Sequence, residues 1–386
     1  MAQSERVVGM ILNSDIEKAI DESSQEAYEL LVELGKIPAP SHHEEKRAEF
    51  CKKWLEDQGA KGVYIDEALN VVYPVGCTDD NPIVVVMAHT DVVFPDTTEL
   101  PMSVEDGKLY CPGIGDDTIH VVALLMAAKY VAQHNLTPAN GGMLFVANAC
   151  EEGLGNLKGT RKLMEQYGSR VTEVISFDGP STYLGVKAVG SKRYQIEIDT
   201  EGGHSYAKFG NRNAIAYMAS LIDTLYTIKV PTRGRTSYNV GVISGGTSVN
   251  TIAQHAEMLY EFRSDNYEDL AEMEEHLNAA LAFYATKGIK VTSTLVGDRP
   301  CGMNVDEAKQ ADLIARGAAV FEKHFGFAPD VKSASTDCNI PLSMGIPAIM
   351  VPCAQGGGAH TRGEYVEIDS QVPGLKVAME MILHYM

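Results

Sequence analysis

The stretch "IVVVMAHTD", residues 83–91, decides how the chain is read. Six apolar residues, four of them β-branched, run without interruption into His89 and Asp91. The run is too short for a core helix, and a strand with one face in water would alternate. Unbroken hydrophobicity of this length describes a strand buried on both faces, as in a parallel sheet covered by helices. Met143–Ala149, Val174–Phe177 and Ala348–Val351 repeat the pattern. "TIHVVALLMAAKYVAQH" (118–134) reads as a helix apolar enough to pack on such a sheet. The alternation predicts an α/β fold, with a mostly parallel sheet covered by helices on both faces.

Each run leads to a residue able to bind a cation. The first reaches His89 and Asp91, the second Glu151 and Glu152, and the third Asp178 in "ISFDGP". The fourth leads through "PCAQGGG" to His360, and Asp116 stands on the glycine-rich turn "GIGDDTIH" before the apolar helix. Ligands in open α/β sheets collect outside the carboxyl ends of the strands. Any one of these residues alone reads as a turn or surface residue; their shared position carries the argument. Two histidines and several carboxylates without a thiolate suit zinc, cobalt or manganese. Five donors exceed the needs of one open catalytic zinc site, and two ions sharing a bridging carboxylate would use them all. Of the adjacent glutamates, one can bind metal while the other handles a proton.

Between Val186 and Val296 the periodicity changes. Tyr194, Ile196 and Ile198 alternate, as do Met258, Tyr260 and Phe262, marking half-buried strands. Ile215, Met218, Ile222 and Leu225, and likewise Leu270, Met273, Leu277 and Leu281, step as one-faced helices. With "SYNVGVIS" and "IKVTSTLV" the order is β-α-β-β-α-β, an α+β ferredoxin-like layer. We read residues 186–296 as a domain inserted into a metal-binding domain of 1–185 and 297–386. Upstream, "SHHEEKRAEFCKKWLEDQG" (41–59) reads as a helix with Ser41 and Glu44 as a capping box. His42 and His43 are expected to face solvent.

Over 386 residues the formal charge is −20, with no basic cluster, which argues against a nucleic-acid partner. No apolar stretch is long enough to span a membrane. The start lacks the features of an export signal, so a cytoplasmic protein is expected. Seven cysteines without paired spacing fit reduced thiols, and Cys150 and Cys338 read as buried ones.

The ordered set His-x-Asp, Gly-x-Gly-Asp-Asp, Glu-Glu-Gly, Asp-Gly-Pro, Gly-Gly-His-Ser and a late His-Thr resembles the dizinc exopeptidase and deacylase family. Peptidase T, glutamate carboxypeptidase, aminoacylase and succinyl-diaminopimelate desuccinylase belong to it. The likeness runs from "IPAPSHHEE" to "AHTRGEYVEI", and "SFDGP" and "HTRGEYVEI" lean toward peptidase T. The resemblance implies that the inserted domain is a lid or dimerisation domain. It implies that Asp116 bridges two divalent ions, most often Zn2+ with Co2+ or Mn2+ as alternatives. His89 and Asp178 would complete one ligand set, Glu152 and His360 the other. Asp91 would fix the imidazole of His89. Glu151 would act as general base, moving a proton from a water bridging the ions to the leaving amine. His204 would stabilise the oxyanion, and Asn250 and Arg263 would contact substrate.

The implied activity is hydrolysis of an amide bond in small peptides, aminopeptidase- or tripeptidase-like. An N-acyl amino acid deacylase or carboxypeptidase would use the same chemistry, and an inactive metal-binding dimeric scaffold is the non-enzymatic alternative. A homodimer through the inserted domain is also implied. The chain departs from the family at Thr118, where Lys is common. His120 is expected to pack or to face solvent.

Overall fold

The computed structural model describes residues 12–386; residues 1–11, which contribute to the export reading, lie outside the described residues. The chain divides into two compact units. One comprises the residues up to Ala188 together with Asn304–Met386, the other Val189–Met303.

The first unit is built on a sheet of eight strands. In chain order these are β1 (Tyr64–Ile65), β2 (Val71–Val75), β3 (Ile83–His89), β4 (Gly142–Asn148), β5 (Val171–Phe177), β6 (Tyr183–Ala188), β7 (Asp330–Ala334) and β8 (Ala348–Val351). Their spatial order is β1-β2-β4-β3-β5-β8-β6-β7. The central four, β4-β3-β5-β8, run parallel, while β2 joins β4 antiparallel and β6 meets β8 in an antiparallel bridge. All seven residues of β3 and of β4 are buried.

The two sides of β3 enter separate cores. Val84, Val86 and Ala88 pack with the helices Ile119–Gln133, Glu307–Phe325 and Gln371–Leu383. Ile83, Val85 and Met87 pack with Leu163 and Met164 of the helix Lys158–Tyr167 and with Ile340 and Leu342. Coverage on both faces is why the run never alternates. Because β3, β4, β5 and β8 point the same way, their carboxyl ends lie along one edge.

The inserted unit has a four-stranded antiparallel sheet in the order Thr236–Gly245, His255–Ser264, Gly190–Asp199, Lys290–Arg299. Helices Ala214–Leu225 and Tyr267–Ala285 share one core with Tyr194, Ile196, Ile198, Met258, Tyr260 and Phe262. Two details differ from the sequence reading. Ile215 is 43% exposed, and Leu221 is buried instead on that helix. The last strand also continues past 296, because its ladder runs on to Arg299 opposite Ser191 after the apolar residues end. Among the described residues, no helix is long and apolar enough to cross a membrane. All seven cysteines are free.

Candidate metal centre

The imidazole of His89, the last residue of β3, is held from behind. Its Nδ1 lies 3.0 Å from the backbone carbonyl of Asp91 and 3.4 Å from the Asp91 carboxylate. The His89 N–H donates to Asp117 Oδ2 at 2.8 Å. Nε2 is thereby turned outward, 3.0 Å from Asp116 Oδ1 and 3.8 Å from Asp178 Oδ1. On the other side of Asp116, Oδ2 lies 3.2 Å from His360 Nε2, which is 3.3 Å from Glu152 Oε1. The two oxygens of one carboxylate therefore face two different imidazoles, each with a second carboxylate beside it. Two ligands about 2.0–2.1 Å from one tetrahedral ion stand about 3.3 Å apart. The separations here, from 3.0 to 3.8 Å, are of that size, so the donors on either side of Asp116 could each hold an ion.

The fully buried Asp91 carboxylate does more than face an imidazole. Oδ1 accepts the Glu151 N–H and Oδ2 the Glu152 N–H, both at 2.9 Å, and Oδ2 also accepts Ser41 Oγ at 2.6 Å. One residue earlier, Glu44 Oε1 accepts the Cys150 N–H at 3.0 Å. Cys150 itself sits at φ 60, a left-handed conformation that costs a non-glycine residue free energy. Three consecutive amides held by two buried carboxylates keep that turn in place. Glu151 is buried, and it, Glu152 and His89 each offer a ligand atom within 4.8 Å of the others.

The glycines of the Asp116 turn are required by close approach. Gly113 has φ 75, and a Cβ there would lie 2.2 Å from Val92 Cγ1. Two residues after Asp116, Thr118 is buried; it donates to the Gly113 carbonyl at 2.5 Å and accepts from Arg47 Nη1 at 3.1 Å. Arg47 is itself fully buried and also donates to the carbonyls of Ile37 and Thr90, at 2.8 and 2.9 Å. Burial pulls its guanidinium down to about 10.

Electrostatically the site is a well of carboxylates around two imidazoles. Burial alone would depress His89, but Asp117, Asp116 and Asp91 carry it well above its ordinary value. His360 is pushed up to about 10 by hydrogen bonds with Asp116 and Glu152. Burial would raise Asp116, yet His360 and His89 hold it well below the usual carboxylate range. Burial raises Glu152, and burial with Asp117 raises Asp178.

Several residues next to the site escape sequence reasoning. Ser41 and Glu44 do not form the expected capping box: the Ser41 hydroxyl donates to Asp91, and Glu44 Oε1 accepts the N–H groups of His42 and Cys150, both at 3.0 Å. The helix starts at Glu45, with no side-chain cap on it. His42 and His43 are exposed. Cys150 and Cys338 are buried, and burial raises both thiols. His120 is fully buried, Nδ1 2.7 Å from Asp117 Oδ1, and burial lowers it to about 3. Asp117 joins His89 and Asp178 as a third potential ligand group. The doubled "DD" was its only signal.

His204, Asn250 and Arg263 lie on the inserted unit. His204 is exposed, pairs with Thr251 across a short antiparallel bridge, and its Nδ1 accepts the Tyr206 N–H at 3.3 Å. Exposed Asn250 accepts the Ser205 N–H at 2.9 Å through its carbonyl, next to His204. Arg263 is tied to Glu261 on its own strand, Nη2 to Oε2 at 3.0 Å.

Residues 85–384 match the family described as Peptidase family M20/M25/M40. A succinyl-diaminopimelate desuccinylase of Corynebacterium glutamicum is 24% identical over 375 residues, covering 93% of this chain and 96% of that one. A tripeptidase from Staphylococcus aureus subsp. aureus Mu50 superposes with a TM-score of 0.76 at 20% identity, over 94% of this chain and 98% of that one. A structure from Bacillus subtilis, described as a dinuclear metal binding peptidase from the M20 family, superposes with a TM-score of 0.64 at 17% identity, over 96% and 100% of the two chains. At these identities the two structures establish a shared fold.

Proposed function

The chain belongs to peptidase family M20/M25/M40 and is a metal-dependent hydrolase of amide bonds, and from that premise we propose that it is an aminopeptidase or tripeptidase of small peptides. The observation that carries the reading is Asp116, whose two oxygens face His89 and His360 while Glu151 stands within the same shell. His89, Asp116 and Asp178 would hold one divalent ion and Asp116, Glu152 and His360 a second, zinc first, with cobalt or manganese as alternatives. Bound there, such ions polarise the scissile carbonyl and bring the pKa of water to about 7.

The remaining work falls to side chains. Glu151 accepts the proton of the attacking water and delivers it to the leaving amine. Asp91 sets the height of Glu151 and Glu152 through their amides and keeps His89 turned outward. His204 donates to the developing oxyanion, with Asn250 and Arg263 contacting polar groups of the substrate. Beyond the ligands, Asp91 is a buried carboxylate held below its ordinary value by His89, while burial raises Asp117 and Asp337 beside it. The stretches "SFDGP" and "HTRGEYVEI", which resemble peptidase T, support the choice of a peptidase.

A second reading, an N-acyl amino acid deacylase, is favoured by the similarity to the desuccinylase. Metal-reconstituted protein assayed on tripeptides, dipeptides and acyl amino acids separates the two. Turnover of tripeptides supports the first, turnover of acyl amino acids alone overturns it, and inactivity throughout supports a scaffold. We place the protein in the cytoplasm, as a dimer through the inserted unit. The edge strand Thr236–Gly245 supports self-association, with Val242 and Ile243 each 53% exposed.

A further inference from the structure

We infer that Glu364 is a positioning residue: its carboxylate shapes the turn that carries Asp116 and ties that turn to the loop that carries His360. The inference rests on reading Asp116 and His360 as metal ligands. Glu364 is fully buried, four residues after His360. Its Oε2 accepts the Gly113 N–H, and its Oε1 accepts the N–H groups of Gly115 and of Asp116 itself, all at 2.8 Å. A carboxylate withdrawn from water needs compensation of this kind, and three directed amides supply it.

The backbone joins the same two segments. The Glu364 carbonyl accepts the Cys111 N–H at 3.1 Å, and the next residue, Tyr365, pairs with Tyr110. Residues 110–116 are thus held from a single short stretch beyond His360. That restraint matters because the turn has little conformational preference of its own. Gly113 and Gly115 give it freedom, and they are required by space, since a Cβ at Gly115 would come within 2.7 Å of Pro180 Cγ. His360 needs support as well, for it sits at φ 63. Glu364 touches none of the reacting groups. It sets the spacing between Asp116 and the two imidazoles, on which shared coordination depends.

Glu364→Gln tests this with little change of shape, because one acceptor oxygen becomes an NH2 group facing an amide donor. Chelator-buffered Zn2+ titration, kcat and KM, and melting of the metal-free protein are measured for the variant and wild type. The expected result is one ion bound about 10–100-fold more weakly and kcat lowered by a similar factor, the scale typical of groups that orient metal ligands. KM stays unchanged, and Glu364→Asp falls between the two proteins. Wild-type affinity and kcat in the variant would overturn the inference. So would a lower melting temperature with kcat per folded molecule unchanged, which would make Glu364 a folding residue only. If Glu364→Gln is insoluble, Glu364→Asp decides: weakened Zn2+ binding supports positioning and wild-type binding refutes it. A wild-type protein that binds fewer than two ions would sink this inference together with the ligand reading. A silent variant of a two-ion wild type sinks this inference alone.

Discussion

Asp91→Asn removes one buried charge from behind the His89 imidazole while leaving volume almost unchanged. The carboxylate accepts three donors, the Glu151 and Glu152 amides and the Ser41 hydroxyl. An asparagine keeps one acceptor oxygen. If that oxygen takes the Oδ2 place, Ser41 and Glu152 keep a partner, but the Glu151 amide meets an NH2 group. A buried N–H deprived of its acceptor costs about 1–3 kcal/mol, and each surviving bond, no longer charge-assisted, loses about 0.5–1.5 kcal/mol. The loss of stability should therefore total about 2–6 kcal/mol. The affected amides set the height of Glu151 and Glu152, so turnover should fall as well, by about 10–100-fold. Urea unfolding of chelator-treated wild type and variant reads the first quantity, and steady-state kinetics after metal reconstitution reads the second. A stability change under about 0.5 kcal/mol with turnover within about twofold would refute the account, since an unsatisfied buried donor cannot be that cheap.

Glu151→Ala should abolish turnover while metal content, read by elemental analysis, stays near wild type; loss of metal together with unfolding would make Glu151 structural. His204→Ala should slow turnover by about 10²–10³, the scale of one oxyanion donor, and unchanged kcat would remove His204 from the site. In metal-free protein His360 is raised from 6.5 to about 10, so its stabilising contribution is complete below pH 6.5 and lost as pH rises through about 10. Glu152 and Asp178, also raised, act in the same direction. The melting temperature of chelator-treated protein should therefore fall as pH rises across this range, while Zn2+ affinity increases because fewer protons must be displaced. A flat melting profile would contradict the assignment. Arg47→Met should destabilise by about 3 kcal/mol or more, because the Ile37 and Thr90 carbonyls and the Thr118 hydroxyl lose a buried donor; a change under about 1 kcal/mol in urea unfolding would show that water replaces it.

Much of this molecule was legible in one dimension because burial leaves a periodic trace. The unbroken run at Ile83–Ala88 announces a strand covered on both faces, and the two cores that receive its alternate side chains are the cause. The β-α-β-β-α-β order of the insertion is visible for the same reason, its one-faced strands alternating where one side packs on helices. Parallel strands send their carboxyl ends to one edge, so residues following four such runs could be expected to meet. His89, Asp116, Glu152 and His360 stand within 3.3 Å of a neighbour in the set, with Asp178 3.8 Å from His89.

What local pattern could not determine is which polar group satisfies which. Ser41 and Glu44 have the spacing of a capping box, worth about 1 kcal/mol to a helix end. Buried amides at Cys150, Glu151 and Glu152 and a buried carboxylate at Asp91 compete for the same groups, and leaving such a donor unpaired costs about 1–3 kcal/mol. The distant demand takes the Ser41 hydroxyl, over a sequence separation of 50, and Glu44 Oε1 serves the Cys150 amide at a separation of 106 together with the local His42 amide. Likewise Arg47 under Thr118 and Glu364 under the Asp116 turn carry no periodic signature, because a hydrogen bond records only where two atoms meet. Apolar spacing along the chain thus determined the strands, the layers and the edge at which the donors gather. The partners that hold those donors were decided only in three dimensions, because satisfying a buried polar group requires a neighbour in space, whatever its place in the chain.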